Sequence, residues 1–166
     1  MQYQAVVFDM DGVIFDTERL VIEFWKEVAK KHNIPNIEHT CIQCLGTNRV
    51  RTREIFLENY GADFPFDPYR AEVTELFDTH YKGVPLPTKP GIRELLNYLQ
   101  EQDIKVGLAS STAQHLVRDE IGTAGLLPYF QTLVCGDMVE HSKPAPDIFL
   151  KACEILNADP TKSIAI

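Results

Sequence analysis

Gln4-Ala5-Val6-Val7-Phe8-Asp9-Met10-Asp11-Gly12 is an apolar run rich in β-branched residues that halts at two carboxylates and a glycine. Such a run reads as a buried strand followed by a turn, so polar chemistry begins where the strand ends. Beyond it the pattern becomes helical. From Thr17 to about His32, Leu20, Val21, Phe24, Trp25, Val28 and Ala29 recur at helical spacing, which predicts an amphipathic helix with one buried face. Further helices are expected near 49–59 and 68–82, on the stripes Ile55, Phe56, Tyr60 and Val73, Leu76, Phe77. No strand is expected between residues 17 and 83.

Val84-Pro85-Leu86-Pro87-Thr88-Lys89-Pro90-Gly91 is punctuation between structural units. After it, helices near 91–102, 112–124 and 146–157 alternate with the apolar segments 104–109, 132–135 and 163–166. Helix alternating with buried strand indicates a parallel sheet covered on both faces. The expected fold is therefore α/β, a doubly wound Rossmann-like core of residues 1–16 and 88–166. An all-helical domain, residues 17–87, interrupts it after the first strand, being far longer than a crossover needs.

With 166 residues, 45% apolar and 24% charged, the chain has enough apolar surface to bury a core, which excludes disorder. A formal charge of −8 and the absence of a basic patch argue against a nucleic-acid partner. No apolar run approaches a bilayer-spanning length and Met1-Gln2-Tyr3-Gln4 does not resemble a leader, so no membrane partner is expected. Four cysteines in such a chain read as reduced thiols, which makes the cytoplasm the expected compartment. The expected oligomeric state is a monomer.

In open parallel sheets ligands bind at the carboxyl ends of the strands, which here carry Asp9 and Asp11, Ser110 and Ser111, and the loop 136–143. Two carboxylates so close together past a buried strand require a cation, a shared proton or abundant water. Mg²⁺ meets the need, since it takes oxygen ligands and bridges carboxylates to a substrate phosphate. The same acids could instead merely open the turn before Gly12. Ser110, Lys143 and the helix starts beside them supply what a phosphate pocket uses: a hydroxyl, an ammonium and backbone N–H groups.

Asp9-Met10-Asp11-Gly12-Val13, Leu108-Ala109-Ser110 and Lys143-Pro144-Ala145-Pro146-Asp147-Ile148-Phe149 resemble three motifs of the haloacid dehalogenase superfamily, in its phosphatase and β-phosphoglucomutase-like branch with a helical cap. The resemblance implies a phosphomonoester hydrolase acting on a small phosphorylated metabolite. It makes Asp9 the nucleophile and Asp11 the acid that protonates the leaving alkoxide and then deprotonates water. Ser110, Ser111 and Lys143 would bind the phosphate, and Asp9 with the Asp11 carbonyl would hold Mg²⁺. It places Gly46-Thr47-Asn48-Arg49 near a substrate-facing loop of the cap, with Gly46 and Arg49 as binding residues.

Mutases of this branch carry a histidine on the first cap helix and a lysine before the cap glycine, where this chain has Val21 and Leu45. That departure favours a phosphatase over a phosphosugar mutase. The second aspartate, Asp11, argues against dehalogenases and phosphonatases. The family's fourth motif, an acidic pair after the strand Ser163-Ile164-Ala165-Ile166, does not appear, so a truncated chain is expected, and with it a third reading as an inactive fragment that binds phosphate or a partner chain. Cys41-x-x-Cys44 is expected to be two buried thiols, Phe24 and Trp25 core residues, and the five histidines surface or packing groups.

Overall fold

The computed structural model describes residues 3–47, 49–141 and 143–166. In chain order the elements are β1 (Ala5–Phe8), α1 (Thr17–His32), α2 (Ile37–Gln43), α3 (Arg49–Tyr60), α4 (Phe66–Tyr81), α5 (Ile92–Glu101), β2 (Lys105–Ser110), α6 (Gln114–Thr123), β3 (Thr132–Cys135), α7 (Asp147–Ile155) and β4 (Ser163–Ala165). By contacts they divide into two compact units, Met1–Asp16 with Gly83–Ile166, and Thr17–Lys82. The stretch 83–87 therefore groups with the sheet; the amide of Asp16 donates to the carbonyl of Pro87 at 2.9 Å.

The sheet is wholly parallel, in the order β3-β2-β1-β4. Parallel strands sit between helical layers and so read as continuous apolar runs. Accordingly β1 and β3 are buried at every residue and β2 at all but Lys105, while edge strand β4 is only partly covered. Register pairs Phe8 with Leu108 and Ser110 with Cys135, so β1, β2 and β3 finish along one edge of the sheet. Helix α7 packs on them through Ile148, Ala152 and Cys153, which together with Leu156 just past its end cluster with Val7, Ala109 and Val134. Burial of Ile148 or Leu156 is worth about 1.5–3 kcal/mol each.

The second unit packs α1 against α2 and α4. Its centre is aromatic: Trp25 lies 4.5 Å from Phe56 and 6.0 Å from Phe66, ring centre to ring centre. Phe24 and Trp25 are both buried, in keeping with a core role. His32 stacks on Tyr69 and bonds Glu72 at 2.9 Å, a packing role.

Three local features differ from the sequence expectation. Helix α2 was not anticipated: it has seven residues, and Asn36 before it is left-handed and makes no side-chain cap, so the usual start signal is missing. Helix α6 begins at Gln114 rather than 112, because the amide of Thr112 is taken by the Ser110 hydroxyl at 3.1 Å. Cys41 is buried, with its thiol pushed up to about 12 by that burial, but Cys44 is only half-buried, and all four cysteines are free thiols. Among the described residues no helix is long and apolar enough to cross a membrane.

Candidate active site

At the end of β1 the chain turns on Met10. Its side chain is buried and its carbonyl accepts the amides of Ile14 at 2.9 Å and Phe15 at 3.1 Å, both of which are buried too. Side chains alternate along extended backbone, so anchoring Met10 in the core turns Asp9 and Asp11 away from it. Asp9 is half-buried and Asp11 exposed. Gly12 has φ +73°, a left-handed conformation that glycine adopts without a Cβ penalty, and it lets the chain fold back at once. The Asp9 amide donates to the carbonyl of Ile166 at 2.8 Å, which fixes Asp9 against the end of the β4 side of the sheet.

Lys143 meets Asp9 from the loop before α7. Its Nζ is 2.7 Å from Asp9 Oδ1 and 2.9 Å from the carbonyl oxygen of Ala109 in β2. The Met10 amide also donates to Asp9 Oδ1, at 2.7 Å. One carboxylate oxygen thus receives both donors, and among the described residues Oδ2 accepts no hydrogen bond. Charge-assisted bonds of this kind are the strong ones, and the pair is only partly exposed.

Ser110 is fully buried at the end of β2. Its Oγ accepts the Thr112 amide, and the Thr112 hydroxyl donates to Asp11 Oδ2 at 3.4 Å. The Thr112 carbonyl in turn accepts the Gly136 amide at 3.2 Å. Gly136 must be glycine, since a Cβ there would lie 2.3 Å from the carbonyl oxygen of Ser111. Ser111 itself is exposed. Helix α6 starts directly after this loop and points its positive end toward it.

The structure therefore pairs Asp9 directly with Lys143, and joins Asp11 to Ser110 through Thr112. Gly46, with φ +71°, and Arg49 belong to the other unit, where the Arg49 guanidinium bonds Asp67 Oδ1 at 3.2 Å. Asn48 and Ser142, which fall in the predicted cap motif and loop, lie outside the described residues. Two groups had gone unnoticed in the sequence. One is Thr112, whose role depends on the β1–β2 pairing. The other is Glu120 on α6, whose carboxyl is pushed up to about 7 by burial, with the charges of Asp11 and Asp119 adding to the effect. A loop hydroxyl following a strand-end serine was the one sequence signal for Thr112. Glu120 had none.

Metal binding can be judged from the donor set. Asp9 and the main-chain carbonyl of Asp11 are hard oxygen donors, as Mg²⁺ requires, and one or two carboxylates with water and substrate phosphate are its usual complement. Two nearby acids have other partners: Asp137 in the loop accepts the Gln114 amide at 3.3 Å, and Asp147 at the start of α7 pairs with His141 at 2.8 Å. Among the described residues no group of three or more His, Cys, Asp or Glu could hold a metal on its own. These two oxygen donors are of the kind a magnesium ion takes, and any further ligands would have to come from water or a bound anion.

The comparisons decide the family. Residues 6–166 match the haloacid dehalogenase-like hydrolases. The chain belongs to that family. It is 32% identical over 97% of its length to a phosphorylated carbohydrates phosphatase of Thermotoga maritima, covering 74% of that protein. It is also 32% identical over 98% of its length to a β-phosphoglucomutase of Bacillus subtilis, again covering 74%. A β-phosphoglucomutase crystal structure from Clostridium difficile superposes with a TM-score of 0.70 at 25% identity, over 99% of this chain and 75% of that one. This member of the family thus keeps the α/β parallel sheet expected of it, with aspartates at the end of β1.

Proposed function

We propose that this hydrolase is a Mg²⁺-dependent phosphomonoester phosphatase acting on small phosphorylated carbohydrates through an aspartyl phosphate on Asp9. The observation that carries the reading is the 2.7 Å approach of Lys143 to Asp9 Oδ1, with Oδ2 left to attack. A phosphoryl group needs a fixed nucleophile, positive charge on its equatorial oxygens and a proton for the departing oxygen. In this reading Asp9 Oδ2 bonds to phosphorus as the bond to the sugar oxygen breaks, and Asp11 gives that oxygen its proton. Water then transfers a proton to Asp11 and bonds to phosphorus, and the bond to Asp9 breaks to release phosphate. Ser110 and Lys143 donate to the phosphoryl oxygens throughout. Mg²⁺, held by Asp9 and the Asp11 carbonyl, would supply charge neutralisation on the transferring group.

Similarity to a carbohydrate phosphatase supports the substrate class, and Val21 and Leu45, in place of the mutase histidine and lysine, support water as the acceptor. The experiment is release of inorganic phosphate from a panel of sugar phosphates with Mg²⁺, by the native chain and by Asp9→Asn, with isomerisation of hexose 1-phosphate followed in parallel. Phosphate release lost in Asp9→Asn is the expected result. Isomerisation without release would make it a mutase, and turnover retained in Asp9→Asn would remove the nucleophile assignment.

A further inference from the structure

The Lys143 ammonium has three N–H donors, and the structure accounts for two of them, at Asp9 Oδ1 (2.7 Å) and the Ala109 carbonyl (2.9 Å). A third neighbour is of another kind. Nζ lies 5.1 Å from the centre of the Phe149 ring, within the range at which an aromatic face attracts a cation. Phe149 sits on the first turns of α7, half-buried, packed against the cluster of Val7, Ala109, Val134, Ile148 and Ala152. The helix is already anchored through the fully buried Ile148 and Ala152, so an aromatic side chain at 149 is not needed to fix it.

We infer that Phe149 is a positioning residue for Lys143: its ring face holds the ammonium over Asp9 and keeps the third N–H directed to the phosphoryl group. The inference rests on the phosphatase reading of the site. Lysine is a flexible stem ending in a compact charge, and two hydrogen bonds alone leave the head free to pivot about them. The ring adds a third, non-hydrogen-bonding contact, which restrains the ammonium without consuming a donor. A leucine of similar bulk would pack on the same cluster but exert no such pull.

The test uses the full chain with Mg²⁺ in excess and the variants Phe149→Leu, Phe149→Tyr and Phe149→Trp, each also in a Lys143→Met background. Orthovanadate binding is measured by calorimetry, so the readout does not depend on turnover. Phe149→Leu is expected to weaken binding about threefold to thirtyfold, with Tyr and Trp restoring it. In the Lys143→Met background the same substitution is expected to change nothing further, as a double-mutant cycle requires for a direct partnership. Without ligand, the ε-methylene protons of Lys143 are expected upfield in the native chain from the ring current, and shifted back in Phe149→Leu. Native-like vanadate binding by Phe149→Leu, an equal loss in both backgrounds, or an unshifted Lys143 resonance in the native chain would each overturn the inference. If Phe149→Leu does not fold, the aromatic variants decide it: Phe149→Trp or Phe149→Tyr losing the upfield shift would count against it. Failure of the phosphatase reading shows differently, as native chain that releases no phosphate from any sugar phosphate while the Lys143 resonance remains shifted.

Discussion

Lys143 Nζ stands 2.7 Å from Asp9 Oδ1, bringing a cation from the loop before α7 onto a carboxylate from the end of β1. Because the same ammonium faces the phosphoryl group in the proposed reaction, Lys143→Ala removes a charge-assisted donor. Orthovanadate should then bind about tenfold to a hundredfold more weakly. Competitive inhibition constants measured for the two proteins test this, and equal constants would contradict it.

Asp11 is exposed and meets the Thr112 hydroxyl at 3.4 Å, a position suited to exchanging protons with a leaving group and with water. Asp11→Ala is expected to slow turnover by about 10² to 10⁴ on alkyl phosphates, the usual worth of a general acid. Aryl phosphates with acidic leaving groups should lose much less. A leaving-group series run on both proteins reads the difference, and parallel losses across the series would mean that Asp11 is not the acid.

Gly136 touches the Ser111 carbonyl so closely that a methyl group would lie 2.3 Å from it. The atom in the way is backbone and cannot rotate aside, so Gly136→Ala must push the loops after β2 and β3 apart. A loss of about 1–3 kcal/mol in stability is expected from such overpacking. Denaturant unfolding measures it, with catalytic loss accompanying it because Ser110 and Thr112 share the displaced loop.

The carboxyl of Glu120 is pushed up to about 7 from 4.5, by burial first and by Asp11 and Asp119 next. Its folded value lies above the unfolded one, so the folded chain holds the extra proton between these values and stability falls as pH rises from about 4.5 to 7. Partial exposure to solvent screens the effect to about 1–2 kcal/mol. Glu120→Gln should therefore stabilise the protein at pH 8 and leave it little changed at pH 4. Thermal midpoints across that range provide the check, and a constant difference would remove the burial explanation.

The sheet was legible in the sequence because each strand is a short apolar run and each helix between them a periodic one. Both patterns are local. Asp9, Asp11, Ser110 and Lys143 were legible as a set because strand ends collect polar residues in one place. What escaped depends on distant pairings. Thr112 reaches Asp11 only once β1 and β2 are in register, and Glu120 is perturbed first by burial and then by Asp11, beyond the end of β1, and by its neighbour Asp119. Helix α2 escaped for a local reason, having neither the length nor the cap that announces a helix. Phe149 was visible as part of a motif, but its bearing on Lys143 lies in a distance of 5.1 Å that spacing alone does not give.

The pairing of β1 with β2 spans the whole helical unit, since Ala5 is matched to Lys105. During synthesis the Ala-Val-Val-Phe segment of β1 leaves the ribosome long before its neighbour exists. At about 5–20 residues per second the wait is roughly 5–20 s. Throughout that interval an apolar strand with both edges unpaired is exposed to other nascent chains, while the unit Thr17–Lys82, compact in its own right and already synthesised, is free to fold. Nascent chains stalled before residue 105 should thus be the ones that chaperones hold, with β1 as the segment they grip.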